Sequence, residues 1–175
     1  RDPADTRRLA VECKAVECLR RQGRFGEAAA RAQRSLLHAT SISAPEICAR
    51  LKLELIDALT QLSRYDEARG HAQETLDLVR RIGDKALLAS ALGRAGILWM
   101  RLGDWLLARD LLEEARTLFQ GLGEEPQVAN VEASLGIVHK NLCEWAIATH
   151  YLRQALSRDR RLGRFAQVAN RLQNL

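Results

Sequence analysis

The sequence predicts an all-α chain of stacked antiparallel helix pairs, and three observations carry the prediction. The first is composition. The 175 residues are 47% hydrophobic and 28% charged with only 3 prolines, enough apolar material for a core and too little Pro for a disordered chain. Ala, Leu, Arg and Glu dominate, all good helix formers, while β-branched and aromatic residues are few. The second is a repeat. Gly23-Arg24-Phe25-Gly26-Glu27-Ala28, Ser63-Arg64-Tyr65-Asp66-Glu67-Ala68, Gly103-Asp104-Trp105-Leu106-Leu107-Ala108 and Cys143-Glu144-Trp145-Ala146-Ile147-Ala148 each run small residue, aromatic two later, Ala three after that. Their starts are 40 residues apart, and a fixed period of this size marks a repeat architecture. The third is the apolar spacing between these marks. Leu87, Leu88, Ala91, Leu92, Ala95 and Leu98-Trp99 form a broad i, i+3, i+4, i+7 stripe.

Further columns keep the period. Leu19, Leu59, Trp99 and His139 lie four residues before the small turn residue, and Ala32, Ala72, Leu112 and Leu152 fall on the helix after it. Ile82-Gly83, Leu122-Gly123 and Leu162-Gly163 mark unit boundaries, with Ile42-Ser43 in the first. Gly there ends a helix by taking a left-handed conformation. At the turn within each pair, a small residue is expected to let the two helices approach closely, and the aromatic after it to plug the gap to the next pair. Ser43-Ala44-Pro45-Glu46 reads as a capping box, Asp84 as an N-cap, and Asp2-Pro3 as the first helix start. Helices are therefore expected near 3–22, 25–41, 44–62, 65–82, 84–102, 105–121, 124–142, 145–162 and 164–175. Gln127-Val128-Ala129-Asn130 recurs as Gln167-Val168-Ala169-Asn170, so a fifth unit has begun before the last residue.

The turn pattern, with Ala95-Gly96 and Leu135-Gly136 on first helices, resembles the tetratricopeptide-repeat family over nearly the whole chain. The commonest members have a 34-residue period. A 40-residue period is similar to the repeats of bacterial signalling regulators, such as the maltose-operon activator and related transcription factors, and of kinesin light chains. The resemblance implies a right-handed superhelical solenoid of four hairpins plus the first helix of a fifth. The units are 3–42, 43–82, 83–122, 123–162 and a partial 163–175, in one repeat domain. Because the chain begins at Arg1 rather than Met, it is expected to be part of a larger protein; cysteines that read as reduced make the expected location cytoplasmic.

Such stacks present the first helix of each pair on a concave face suited to a peptide or a partner domain. From the register, that face would carry Cys13, Lys14, Glu17, Arg20 and Arg21, then Arg50, Leu53, Glu54, Asp57 and Gln61. Ser90, Arg94, Ile97 and Arg101 follow, then Asn130, Ala133, Ser134, Ile137 and Asn141, and finally Asn170 and Asn174. The residues expected to bind a partner are Arg50, Glu54, Asp57, Arg94, Arg101, Asn130, Ser134, Asn141, Asn170 and Asn174. Asn amides could bind an extended peptide backbone, and Arg94 and Arg101 could hold a carboxylate. A chaperone-type carboxylate clamp is not expected, since Cys13, Leu53, Gly93 and Ala133 stand at its charged positions. The expected function is a protein–protein interaction module in a bacterial signalling or transcription-regulating protein.

The rival is a helical-repeat RNA binder. The net charge is +5, from 23 Arg and 4 Lys against 22 acids, but the charges are interleaved. The densest basic run, Arg158-Asp159-Arg160-Arg161, is broken by an acid, and Glu17, Glu54 and Asp57 would oppose phosphates. No enzyme, cofactor or metal site is expected. His139 and Cys143 sit four apart as a nucleophile pair would, yet each fills a packing column. Cys13, Cys18, Cys48 and Cys143 include no C-x-x-C pair and read as reduced. Trp99, Trp105 and Trp145 read as core. No apolar run is long enough to span a bilayer. The last helix, with Leu172 and Leu175, would leave apolar surface open for a homodimer.

Overall fold

The computed structural model describes residues 3–172, apart from the side chains of Pro3 and Asn170. The described residues form nine helices: α1 (Pro3–Arg21), α2 (Phe25–Ser41), α3 (Pro45–Gln61), α4 (Tyr65–Ile82), α5 (Lys85–Leu102), α6 (Trp105–Gly121), α7 (Glu125–Asn141), α8 (Trp145–Arg161) and α9 (Phe165–Leu172). The fold is all-helical, built of helix pairs. The expected bounds hold to one residue at nearly every end, because the spacing of turn residues that sets them is a local property of the chain. Asp2 and residues 173–175 lie outside the described residues.

Every twentieth residue carries the turn. Gly23, Ser43, Ser63, Gly83, Gly103, Gly123, Cys143 and Gly163 all have positive φ, between 52° and 81°. At most of them the next amide reaches back across the turn, as in Arg24 N–H to the Leu19 carbonyl (3.0 Å) and Glu144 N–H to the His139 carbonyl (2.9 Å). This satisfies helix-end carbonyls in the Schellman manner. A side chain built on Gly23, Gly83, Gly103, Gly123 or Gly163 would meet nothing within 4 Å. The small turn residue therefore serves backbone conformation and not helix approach, which corrects the expectation. Three turns use a non-glycine, where an L-residue costs about 1–2 kcal/mol in the left-handed region. Ser63→Gly is accordingly expected to raise stability by roughly 1 kcal/mol, visible as a higher urea midpoint; an unchanged midpoint would mean the turn is not under strain.

Helix starts divide by sequence. Asp84 accepts from Ala86 N–H (2.8 Å) and Leu87 N–H (3.1 Å), as expected, and Asp104 from Leu107 N–H (3.1 Å). The capping box at Ser43 does not form. Ser43 is itself the left-handed end of α2 (φ 52°), and Ala44, with no side-chain cap, precedes Pro45. A residue spent on ending one helix is not free to cap the next.

The helices fall into two compact units, Arg1–Arg94 and Ala95–Leu175, dividing within α5. In the first, Ala49, Leu53, Val79, Leu87 and Ala91 form a buried cluster, with Leu76, Leu78, Ile82 and Leu88 packed against it. In the second, Gly96 and Gly136 lie so close to α6 and α8 that an added Cβ would fall 2.6 Å from Leu112 Cγ and from Leu152 Cγ respectively. Close helix approach is thus assigned to the Ala-Gly and Leu-Gly columns, and not to the turn. Among the aromatics after the turns, Phe25, Tyr65 and Trp105 are half-buried, but Trp145 is 60% exposed. The expectation that Trp145 is core is therefore corrected: the described residues do not cover it. On α9, Phe165 is 78% exposed, as is much of Leu172.

Candidate functional site

In the first unit, the register places the first-helix faces of α1, α3 and the opening of α5 around a groove of about 470 Å³. Cys13, Lys14, Glu17, Arg50, Leu53, Glu54, Ser90 and Arg94 line it, together with Thr6, Ala10, Ile47 and Leu87. Every one of the eight was expected on that face. The floor is apolar, from Ala10, Ile47, Leu53 and Leu87. Cys13 contributes an inert thiol: burial pushes it up to about 11, against the pull of Arg50, so it is neutral at physiological pH.

The charges arrange themselves in a way that spacing did not reveal. Arg20 Nε donates to Glu54 Oε2 (2.7 Å), and Arg94 Nη2 donates to Glu54 Oε1 (2.7 Å). Asp57 Oδ2 lies 2.8 Å from Arg94 Nη1 and 3.5 Å from Arg20 Nε. Two guanidinia thus hold two carboxylates across α1, α3 and α5. Burial works against ionisation of Glu54, but Arg94 and Arg20 outweigh it and hold the carboxyl below its ordinary value. At Asp57 burial dominates and pushes the carboxyl up, with Glu54 adding to it. Glu17 pairs with Arg21 at 2.7 Å. Arg94 is therefore committed to the chain's own acids and is not open to a partner's carboxylate. Lys14 and Arg50 are exposed, and among the described residues neither forms an ion pair or side-chain hydrogen bond.

The second unit treats its expected site residues differently. Asn130 Oδ1 accepts from Arg164 Nη2 and Arg171 Nη2, both at 3.0 Å, and its Nδ2 donates to Gln127 Oε1 (3.4 Å). Ser134 Oγ donates to the Asn130 carbonyl (3.2 Å) and Asn141 Nδ2 to the Ile137 carbonyl (2.8 Å). The peptide-binding amide expected at Asn130 is thus already engaged within the fold. Arg101 is exposed on α5. The side chain of Asn170, and Asn174 altogether, lie outside the described residues.

Two buried acids escaped the sequence. Asp159, in the column of Ala39, Val79 and Phe119, is 0% exposed and lies between Arg164 (3.1 Å) and Arg171 (3.2 Å). Glu132 is also 0% exposed; Arg158 Nε donates to it at 2.9 Å while also binding Glu125. Burial pushes Glu132 up, against Arg158. A lone charge in an otherwise apolar column was the signal that could have found Asp159. His139 is buried, stacked on Tyr151 with ring centroids 5.4 Å apart, and its Nδ1 meets the Glu144 carboxylate. Cys143 is exposed at its left-handed turn. His139 is accounted for by packing and Cys143 by the backbone of its turn. Among the described residues no group of three His, Cys, Asp or Glu could hold a metal ion, and no helix is long and apolar enough to cross a membrane.

The 40-residue columns and left-handed turns coincide with a family model. Residues 87–161 match the tetratricopeptide-repeat model. Over that segment the chain is similar to the tetratricopeptide repeat. Solved tetratricopeptide-like structures share the fold beyond that segment. The Rap protein complexed with Competence and Sporulation Factor superposes with a TM-score of 0.83 at 15% identity, over 91% of this chain and 44% of that one. BtubC from P. vanneervenii gives 0.77 at 21% identity, over 89% and 64%. A putative kinesin light chain repeat protein from Podosopora anserina gives 0.74 at 14% identity, over 95% and 86%. The chain thus spans less than two thirds of the first two. No curated relative matches the sequence at significance.

Proposed function

We propose that this tetratricopeptide-repeat chain is a protein-interaction module whose groove over α1, α3 and α5 takes an extended acidic and apolar segment of a partner. We place it in the regulatory or scaffolding part of a larger bacterial signalling or transcription-regulating protein, with the repeats acting as one array. The observation that carries the groove assignment is its charge. The acids that the sequence sets on this face, Glu17, Glu54 and Asp57, are each paired with arginine, whereas Lys14 and Arg50 stand free above an apolar floor. Free cations beside apolar surface favour carboxylates flanked by aliphatic side chains. Regulatory use is supported by analogy with the Rap protein, which was solved in complex with a factor.

The test is calorimetry with two synthetic nonapeptides, one alternating Leu with Glu and one alternating Leu with Lys. The acidic peptide is expected to bind at least about tenfold tighter, and the Lys14→Glu/Arg50→Glu double variant to lose that preference. Equal binding of both peptides would overturn the charge assignment. Tight binding of a single-stranded oligoribonucleotide that collapses steeply with salt would instead favour RNA.

A further inference from the structure

The face of α1 turned away from the groove carries a second concavity, a polar pocket of about 390 Å³ between α1 and α2. It is lined by Arg8, Leu9, Glu12, Arg31, Arg34, Ser35 and His38. Leu9 and Ser35 are its buried members, and Arg8 and Arg34 stand exposed at its rim. Arg31 is held in place by Glu12, through Nε to Oε2 (2.8 Å) and Nη2 to Oε1 (3.0 Å). Those two bonds use one edge of the guanidinium and leave Nη1 free to donate. They also keep the Glu12 carboxyl below its ordinary value, chiefly through the Arg31 hydrogen bonds. Glu12 offsets one positive charge, and Asp5, whose Oδ1 lies 3.9 Å from His38 Nε2, offsets another, so the three guanidinia leave a surplus of one.

The repeat supplies its own control for whether the fold requires this set. Forty and eighty residues on, the same positions are filled by different chemistry. In the third repeat Leu88, Leu111 and Leu118 replace Arg8, Arg31 and His38, and Glu114 replaces Arg34. The helix pair therefore packs without arginine at any of these places. Arg31 answers to Glu12 and His38 lies beside Asp5, but nothing in the repeat scaffold accounts for Arg8 and Arg34 at the rim of the same pocket. Like charges gathered around one concavity repel one another unless a counter-ion occupies it. Guanidinium forks match the tetrahedral oxygens of a phosphate.

We propose that the α1–α2 pocket binds a phosphomonoester, with Arg8 and Arg34 closing on the phosphate from the rim and Arg31 Nη1 donating from within, while Ser35 Oγ donates to Glu12 Oε2 (3.5 Å) and helps hold the Glu12–Arg31 pair in place. The site lies outside the groove and does not depend on what the groove binds. It would make engagement of the first helix pair sensitive to a phosphate, whether that phosphate belongs to a modified partner side chain or to a small metabolite.

The test is a titration of the whole chain with inorganic phosphate at constant ionic strength, chloride being exchanged out. It is followed through the arginine Nε–H signals in two-dimensional NMR. Saturable shifts of the Arg8, Arg31 and Arg34 signals are expected. The Arg8→Ala/Arg34→Ala variant should weaken binding at least about tenfold. An Arg153→Ala/Arg160→Ala variant, which removes two exposed arginines of α8, should leave it unchanged. A phosphoserine peptide binding more tightly than phosphate alone would assign the ligand to a modified partner; equal affinity would assign it to a small phosphate. A linear drift without saturation, or the same titration in both variants, would overturn the site. So would an unphosphorylated peptide binding as tightly as its phosphorylated form.

Discussion

Replacing Gly136 with isoleucine is expected to destabilise the chain by about 3 kcal/mol or more, and adding Leu152→Ala to the same chain is expected to restore most of the loss. A mere Cβ on Gly136 would sit 2.6 Å from Leu152 Cγ, 2.8 Å from its Cδ2 and 3.3 Å from the Ala148 carbonyl oxygen. Leu152 is buried and cannot swing clear. The rescue is already written in the other repeats. The Gly136 column reads Val16, Ile56, Gly96, Gly136, and the Leu152 column reads Ala32, Ala72, Leu112, Leu152. All four residues of the first two repeats are buried. Large on the first helix goes with small on the second, and the order is exchanged after the second repeat. Either arrangement fills the space between a helix pair, whereas two large or two small residues overfill it or leave a cavity. Leu152→Ala alone should therefore also cost about 2–4 kcal/mol. Urea unfolding of the wild type, both single variants and the double variant would give the coupling. Losses that simply add in the double variant would refute the exchange.

Arg94→Glu is expected to cost about 3 kcal/mol or more, in contrast to a change of roughly 0.5 kcal/mol or less for Arg101→Glu. On sequence grounds the two arginines look alike, exposed on one face of one helix and available to a partner. In the structure Arg94 is the shared cation of Glu54 and Asp57. Its reversal would leave three carboxylates facing only Arg20, in a place where the Glu54 side chain is 11% exposed. Removing one member of such a group leaves uncompensated charge with little water to screen it. Thermal unfolding followed by circular dichroism should show a midpoint lowered by roughly 6 °C or more for Arg94→Glu, and near the wild type for Arg101→Glu. Equal midpoints would mean that the four charges do not hold the first unit together. The consequence for function is direct: a loss of binding in Arg94→Glu would report on folding, and Lys14 and Arg50 are the residues whose reversal tests the groove.

The helices, their pairing and the face that lines the groove were all legible in the residue pattern. Each depends on local spacing, with a left-handed residue every twentieth position and an apolar stripe at the helical period between turns. Eight of the groove residues named from register alone line it. Which of them remain available depends on contacts between distant helices. Glu54 finds Arg20 across 34 positions and Arg94 across 40, and Asn130 is claimed by Arg164 and Arg171 across 34 and 41. A repeat pattern shows that two side chains face the same way, but charge neutralisation depends on distance in space. The acids that looked like the groove's own charge are spent inside it, and its sign is set by the two cations left over. The close approaches at Gly96 and Gly136 follow the same logic, since the need for a missing side chain exists only once a leucine from the next helix has arrived.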